Sequence, residues 1–431
     1  MVMKLSQIGT ALFGVFMSFN VWANYSCEQL NLTDCPTPVD QKLPDPHNML
    51  TWTSQDRVIG FRNTFKSYDG TVFKPNKNNI YALDRYKKQI KNRDITYQVD
   101  GKDYHLNDYL KSQDVAGLII LKNGKIALEY YGKGNNPTTL WTSRSVAKPI
   151  VTTLIGVAVQ QGKIKSLDDP IIHYLPDLKG TAWSDVTLKQ LLQHTSGVQW
   201  NENYQDPKSD FAQMTYCEAS PNPTDCVYQL VKQLKPKHTP GEVWAYNTSG
   251  SWLAGLILEK ATGKSIAQNM QDVWQKFGME REGIWQSYER NKADMGGHGV
   301  NATLRDYARF GQFVLNEGRL KTGEKLLPEH WTQDATTWVQ KKGSVSEKYP
   351  EGIFGYQWWN SKAKYGAPLK TKNSDATFWG FGIFGQMMAI NPKDQIVMMQ
   401  WTTWQTATPS EKIDNEKSLF FNAVTQYLDE K

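Results

Sequence analysis

Cysteine is scarce, with four residues in 431, and the four fall into two close pairs, Cys27 with Cys35 and Cys217 with Cys226. Neither spacing is C-x-x-C, and none of the seven histidines lies near a cysteine or another histidine in sequence, which disfavours a local zinc site. Two local disulfides are the expected use, and they require an oxidising compartment. Apolar runs long enough to span a bilayer are missing. The charge, +6 net, is spread rather than blocked, so nothing marks a nucleic-acid surface. Internal repeats, low-complexity tracts and haem motifs are absent. Thr262-Gly263-Lys264-Ser265 has the tail of a phosphate loop, but Leu258 stands where its first glycine belongs. No cofactor is expected.

What is present begins with Met1 to Lys4, an apolar stretch from about Ala11 to Met17, and Val21-Trp22-Ala23 before Asn24. This fits a secretory leader over residues 1–23. No leucine-type residue precedes Cys27 at the lipoprotein spacing. The mature protein is therefore expected in the periplasm or secreted, with no transmembrane anchor after leader cleavage. Hydrophobic residues make up 39%, enough for real cores in a chain of this length.

Residues 24–112, rich in Pro, Asn, Asp and Lys, read as an irregular N-terminal extension. Val115 to Leu121 and Lys125 to Tyr131 flank Asn123-Gly124, a hairpin signal. Helical periodicity then dominates, clearest at Leu188 to Gln193, Ser251 to Thr262 and Leu304 to Leu315. Tyr356 to Trp359, Ala376 to Ile390 and Gln395 to Trp401 read as strands, and Lys412 to Leu428 as a closing helix. The pattern predicts an α/β (α+β) domain over 113–431, with one antiparallel sheet flanked by helices and an inserted all-helical region at about 160–340.

The chemistry centres on Trp141-Thr142-Ser143-Arg144-Ser145-Val146-Ala147-Lys148-Pro149-Ile150. Ser145 and Lys148 stand three apart at the start of a predicted helix, hence on one face. Val146, Ile150, Val151, Leu154, Ile155 and Val157 supply its apolar side, and Gly162 a stop. A serine hydroxyl needs a base and a site that tolerates a developing oxyanion. A lysine one turn on can take the proton, and a helix N-terminus favours the negative charge. A second match, Ser361 to Lys364, lacks helical periodicity and reads as a solvated loop. Tyr246, in Trp244-Ala245-Tyr246-Asn247-Thr248 after Pro240-Gly241, offers a further proton carrier. Its phenol, with a reference pKa near ~10, is expected to move toward working pH beside a lysine.

The ordered set Ser145-x-x-Lys148, His194-Thr195-Ser196-Gly197, Pro240-Gly241 with Tyr246, Gly278-Met279 and Gly380 to Gln386 resembles the class C β-lactamase superfamily of serine hydrolases. It covers roughly Val115 to the C-terminus. The resemblance implies a sandwich around an antiparallel sheet plus a helical region, with the site between them. It implies Ser145 as the acylated nucleophile, Lys148 and Tyr246 as proton handlers, and the N–H groups of Ser145 and Ile383 as oxyanion donors, with Gly382 beside them. His194 looks like the family's structural turn.

Departures direct the reading. Class C enzymes carry Tyr-x-Asn, where this chain has Tyr246-Asn247-Thr248, and Lys-Thr-Gly, where it has Gly380-Phe381-Gly382. Lys321-Thr322-Gly323 falls in a polar turn and is coincidental. The missing cation shifts the resemblance toward the esterase and 6-aminohexanoate-dimer hydrolase branch. Trp52, Phe61-Arg62-Asn63 and Tyr204-Gln205-Asp206-Pro207 also look like that branch, in which Tyr204 would help hold the scissile group. Among sixteen tryptophans, Trp141, Trp200 and Trp379 flank motif residues, and Trp379, next to the late glycines, is the one expected to line a substrate pocket. The reading is an exported serine hydrolase acting on small-molecule esters or amides. A β-lactamase or D-Ala-D-Ala peptidase is the enzymatic alternative, and a non-catalytic ligand-binding relative the alternative of another class.

Overall fold

The computed structural model describes residues 24–38, 40, 42–218, 220–337, 354–360, 373 and 376–429. The expected leader and the Ser361 to Lys364 segment lie outside the described residues. Strands β1 (Asp69–Phe73), β2 (Thr96–Val99), β3 (Lys102–His105), β4 (Val115–Lys122), β5 (Lys125–Tyr131), β6 (Trp141–Thr142), β7 (Gly283–Ser287), β8 (Val300–Ala302), β9 (Trp359–Asn360), β10 (Phe378–Gly382), β11 (Gln386–Asn391) and β12 (Ile396–Thr402) build three sheets. The largest runs β5-β4-β12-β11-β10-β9, the second β1-β7-β8-β6, and β2-β3 is a separate hairpin. The strand pairings are antiparallel.

The apolar runs of the large sheet follow from burial on both faces, because side chains alternate along a strand and helices cover either side. Ile119, Leu121, Val397, Met399, Met388 and Ile390 point to one side, where they meet the lysine-bearing helix Ala147–Gln160 and the helix Leu304–Leu315. Leu118, Ile120, Met398, Met387 and Ala389 point to the other, against Phe420, Phe421 and Val424 of the closing helix Glu411–Asp429. The β4–β5 turn is the expected two-residue one. Asn123 and Gly124 have φ of 53° and 71°, a geometry that matches the strand twist and that Asn-Gly adopts at little cost.

Two expectations need correction. The extension is not irregular throughout. Ser54–Ser67 is a helix with a Thr53/Asp56 capping box, and β1 joins the second sheet through β7. That helix hides from periodicity because it buries Arg57, Arg62 and Lys66. Arg62 is compensated by Asp40, with Nε and Nη2 donating at 2.6 and 2.8 Å. The inserted region is not purely helical either, since it carries β7 and β8. Cys27 is bonded to Cys35 and Cys217 to Cys226, with Cα separations of 5.7 and 5.4 Å. Among the described residues no helix is long and apolar enough to cross a membrane.

Phe420 is fully buried and stacks on Tyr109 with ring centroids 3.7 Å apart, joining the closing helix to the helix Leu106–Ser112. Phe420→Ala is expected to cost about 3–5 kcal/mol, the range for deleting a buried phenyl ring. Urea denaturation monitored by tryptophan fluorescence measures it.

Candidate active site

Ser145 lies in the 3-10 turn Arg144–Val146 that runs into the helix Ala147–Gln160. The turn is tight: Arg144 has φ of 47°, a conformation that long side chains adopt only when their surroundings hold them there. Its buried guanidinium sits 4.8 Å from the Phe61 ring centroid. The end of β10 presses on this turn. A Cβ at Gly382 would fall 2.8 Å from the Ser143 carbonyl oxygen and 3.0 Å from Arg144 Cβ, so glycine is what permits the approach. Ile383 consequently stands beside Ser145, and both line the same cleft. Phe384, next in the chain, has φ of 60°. Its N–H donates to Ala407 O at 2.9 Å and its carbonyl accepts from Thr402 Oγ1 at 2.5 Å.

Lys148 Nζ donates to Ser145 Oγ at 2.9 Å and to Gly297 O at 3.0 Å. It is only 2% exposed, and burial pushes its ammonium down to about 8, against the upward pull of Glu202. Its nitrogen also lies 5.2 Å from the Tyr246 ring centroid. Tyr246 does not follow the expected direction. Burial first and the Glu202 charge second raise its phenol above the ordinary value, and its hydrogen bond with Ser145 only partly opposes them. Tyr246 is therefore a protonated phenol at neutral pH, and Lys148 is the group that can be unprotonated there.

His194 serves architecture. Its Nδ1 accepts the Asn247 N–H at 3.1 Å, so its Nε2 carries the proton and donates to Ser251 Oγ at 3.2 Å. Burial, reinforced by Lys148, keeps the ring neutral. Asn247 then caps the helix Thr248–Thr262 through Gly250 N at 3.0 Å. These bonds fix the backbone directly after Tyr246.

Glu202 escaped the sequence analysis. Its carboxylate accepts from Thr248 Oγ1 at 2.5 Å, Thr248 N at 3.0 Å and Tyr204 OH at 3.0 Å, and from Trp200 Nε1. It occupies the N-terminus of the helix Thr248–Thr262, where a negative charge is favoured. Thr248, standing where relatives place an amide, spends its hydroxyl on this carboxylate. The available signal was an acid set between Trp200 and Tyr204 in the loop after the His194 turn.

Ser145 opens on two spaces. The outer cleft, about 460 Å³, is walled by Trp200, Trp244, Tyr246, Trp359, Phe381 and Trp404. Trp359 stacks on Tyr246 with centroids 5.7 Å apart. The buried pair Asp414 and Lys417 closes the far end. The inner cavity, about 40 Å³, shares Ser145, Tyr204 and Ile383 with the cleft and is also lined by Arg144, Lys148, Glu218 and His298. Tyr204 and Gly382 are found at the site as expected, Tyr204 facing both spaces and Gly382 the cleft. Trp379 is a correction: it is fully buried against Phe421 of the closing helix, with centroids 5.0 Å apart. Strand parity explains this: Gly380 points toward Val146 and Pro149 of the serine turn and helix, so its neighbour Trp379 points to the opposite face, toward the closing helix. Trp200 lines the cleft in its place.

At Gly380 a Cβ would meet Pro149 Cγ at 3.1 Å and Val146 Cγ1 at 3.5 Å, with Trp358 beyond at 3.8 Å. Apolar groups therefore surround the position at which β-lactam-binding relatives carry lysine. Among the described residues no group of three His, Cys, Asp or Glu side chains could hold a metal ion.

A family model described as Beta-lactamase matches residues 105–422. A 6-aminohexanoate-dimer hydrolase of Paenarthrobacter ureafaciens is 23% identical over 69% of this chain and 75% of its own length. A Beta-lactamase of Pseudomonas fluorescens is 28% identical over 41% of this chain and 48% of its own. In fold, the chain is similar to a structure from Bacillus anthracis provisionally named 6-aminohexanoate-dimer hydrolase. That match has a TM-score of 0.73 and 23% identity, and covers 90% of this chain and 98% of that one.

The position of Glu202 yields a prediction with a definite sign. Its charge raises Lys148, so Glu202→Gln should lower the lysine pKa further, and any activity that needs the free amine should set in at lower pH. A pH–rate profile of the variant beside wild type measures this, and an unmoved acid limb would remove Glu202 from the electrostatics of the site.

Proposed function

The chain belongs to the Beta-lactamase family, and from that premise we propose that it is an exported serine hydrolase that cleaves small esters or amides through an acyl-Ser145 intermediate. The observation that carries this reading is the 2.9 Å hydrogen bond from a buried Lys148 to Ser145 Oγ. With a pKa of about 8, roughly a fifth of the lysine is free amine at pH 7.4. That amine takes the hydroxyl proton as Oγ bonds to the substrate carbonyl carbon. The oxyanion lies between the N–H groups of Ser145 and Ile383. Tyr246, protonated at rest, donates to the leaving oxygen or nitrogen as its bond to carbon breaks. A phenolate is unfavourable in that burial, so Tyr246 recovers a proton from Lys148. Water then attacks the acyl-serine, and the same groups return the proton to Oγ.

The relatives named for 6-aminohexanoate-dimer hydrolysis support a preference for simple esters and amides over β-lactams, and the apolar setting of Gly380 agrees. A substrate carboxylate without its cationic partner forgoes about 1.5–3 kcal/mol, at least tenfold in affinity. The two disulfides and the N-terminal leader pattern support export. An intact Ser145, Lys148 and Tyr246 set favours turnover over mere binding.

A fluorophosphonate should label Ser145 alone, as read by peptide mass spectrometry, and Ser145→Ala should lose ester turnover with the fold retained. Tyr246→Phe and Lys148→Ala should each cost at least ~10²-fold in rate. Burial depresses the lysine, so its reactive form is gained as pH rises: kcat/KM should climb through about pH 8 and level off above it. A profile flat across that range would exclude Lys148 as the base. Compared on one preparation, p-nitrophenyl acetate should be turned over and nitrocefin slowly or not at all; a higher kcat/KM for nitrocefin would favour the β-lactamase alternative.

A further inference from the structure

The inner cavity is small, and its walls carry charge that the mechanism does not use. Arg144 lines it from the turn that bears the nucleophile, with φ of 47°, and is only 9% exposed. A guanidinium presents five N–H donors and holds its proton tightly. Burial brings Arg144 down to about 10, which leaves it charged at neutral pH. Its buried Nε nevertheless has no hydrogen-bond partner among the described residues. The guanidinium sits over the Phe61 ring at 4.8 Å from the centroid, but a ring face offsets charge without giving N–H donors an oxygen. A buried cation with open donors is costly unless a further group fills them. We propose that the inner cavity is an anion subsite, in which Arg144 takes a carboxylate that the substrate carries close to its scissile bond. The proposal rests on the hydrolase reading given above and adds a substrate class to it, short carboxylate-bearing esters or amides.

The acid in the cavity wall does not take this role from a ligand. Tyr68 OH already donates to Glu218 at 2.6 Å, and Arg144 acts on Glu218 as a charge rather than as a hydrogen-bond donor. Burial raises Glu218 to about 7, so near neutral pH about half of its charge is gone. His298, with Nε2 4.0 Å from Glu218, is kept neutral by burial and by the charges of Arg144 and Lys148. Arg144 and Lys148 therefore outweigh the one acid they face. The size agrees as well, since about 40 Å³ has room for about three water-sized groups, the heavy atoms of a carboxylate. Ser145 and Ile383 line the same cavity, so a carboxylate held at Arg144 keeps the rest of its molecule at the nucleophile. This place differs from the strand position Gly380, whose neighbours are Pro149, Val146 and Trp358, and it is too small for a fused β-lactam ring.

Two ester pairs test the subsite by placing the carboxylate on either side of the scissile bond. Monomethyl against dimethyl succinate puts it on the carbonyl side, and acetoxyacetate against 2-methoxyethyl acetate on the alcohol side, with methanol or acetate release followed by proton NMR. In at least one pair the charged member should have the higher kcat/KM by ~10-fold or more, and Arg144→Gln should bring that ratio toward one, about the factor a charge-assisted hydrogen bond is worth. The pair that responds identifies which part of the substrate bears the carboxylate. Equal or inverted ratios in both pairs would overturn the subsite, as would a charge preference that survives Arg144→Gln, which would pass the role to Lys148. Binding is read apart from turnover by isothermal titration of Ser145→Ala, which should take at least one charged ester ~10-fold or more tighter than its neutral partner; heat from neither charged ester would count against the subsite. If Arg144→Gln does not fold, the wild-type ratios and these titrations decide. Tight binding of a charged ester by Ser145→Ala, with no ester turned over by wild type and Ser145 unlabelled by fluorophosphonate, would overturn the hydrolase reading and leave the subsite standing.

Discussion

The site depends on keeping one amine out of water. Lys148 has a place for its nitrogen between Ser145 Oγ and Gly297 O, and little else around it but packed protein. Burial of a cation is expensive unless the group can shed its charge, and this lysine does so near neutral pH. The same low-polarity setting drives Tyr246 the other way, toward the neutral phenol. One environment thus prepares an acceptor and a donor side by side. Glu202 acts on both in one direction: its charge opposes the fall of Lys148 and adds to the rise of Tyr246.

Rigidity comes from two strained corners. Arg144 and Phe384 both have positive φ, and they sit next to Ser145 and Ile383, which line the cleft. Gly382 lets the corners meet. Bending the chain before Ser145 and after Ile383 places both residues without lengthening any loop, and the surrounding hydrogen bonds bear the strain. His194 does the same for the tyrosine by fixing Asn247. Much of the family pattern around the nucleophile is in this sense backbone geometry.

What could be read in advance divides along a physical line. The Ser145 and Lys148 pair, the Asn123-Gly124 turn and the helix Leu304–Leu315 were legible because each is encoded by neighbours within a turn or two. The helix Ser54–Ser67 was not, since its buried charges find partners such as Asp40 that no local pattern reveals. Trp379 was misplaced because adjacency in sequence means opposite faces on a strand. Glu202 and the inner cavity are tertiary: they exist only once the loop after His194, the helix Asp210–Cys217 and the segment from Pro46 to Tyr68 come together. The direction of the Tyr246 shift depends on how deeply it is buried, which a list of neighbouring charges does not convey.

The order in which strands pair has a kinetic consequence. β1 finds β7 more than two hundred residues later, and β4 finds β12 at a still greater separation. β10, which leads into the turn at Ile383, and the closing helix that covers the large sheet come late in the chain. Such long-range pairing makes folding slow and leaves little that can close early. A nascent chain has Ser145 and Lys148 long before the segment that sets Ile383 beside them, so the cleft they share is assembled only when the final strands arrive.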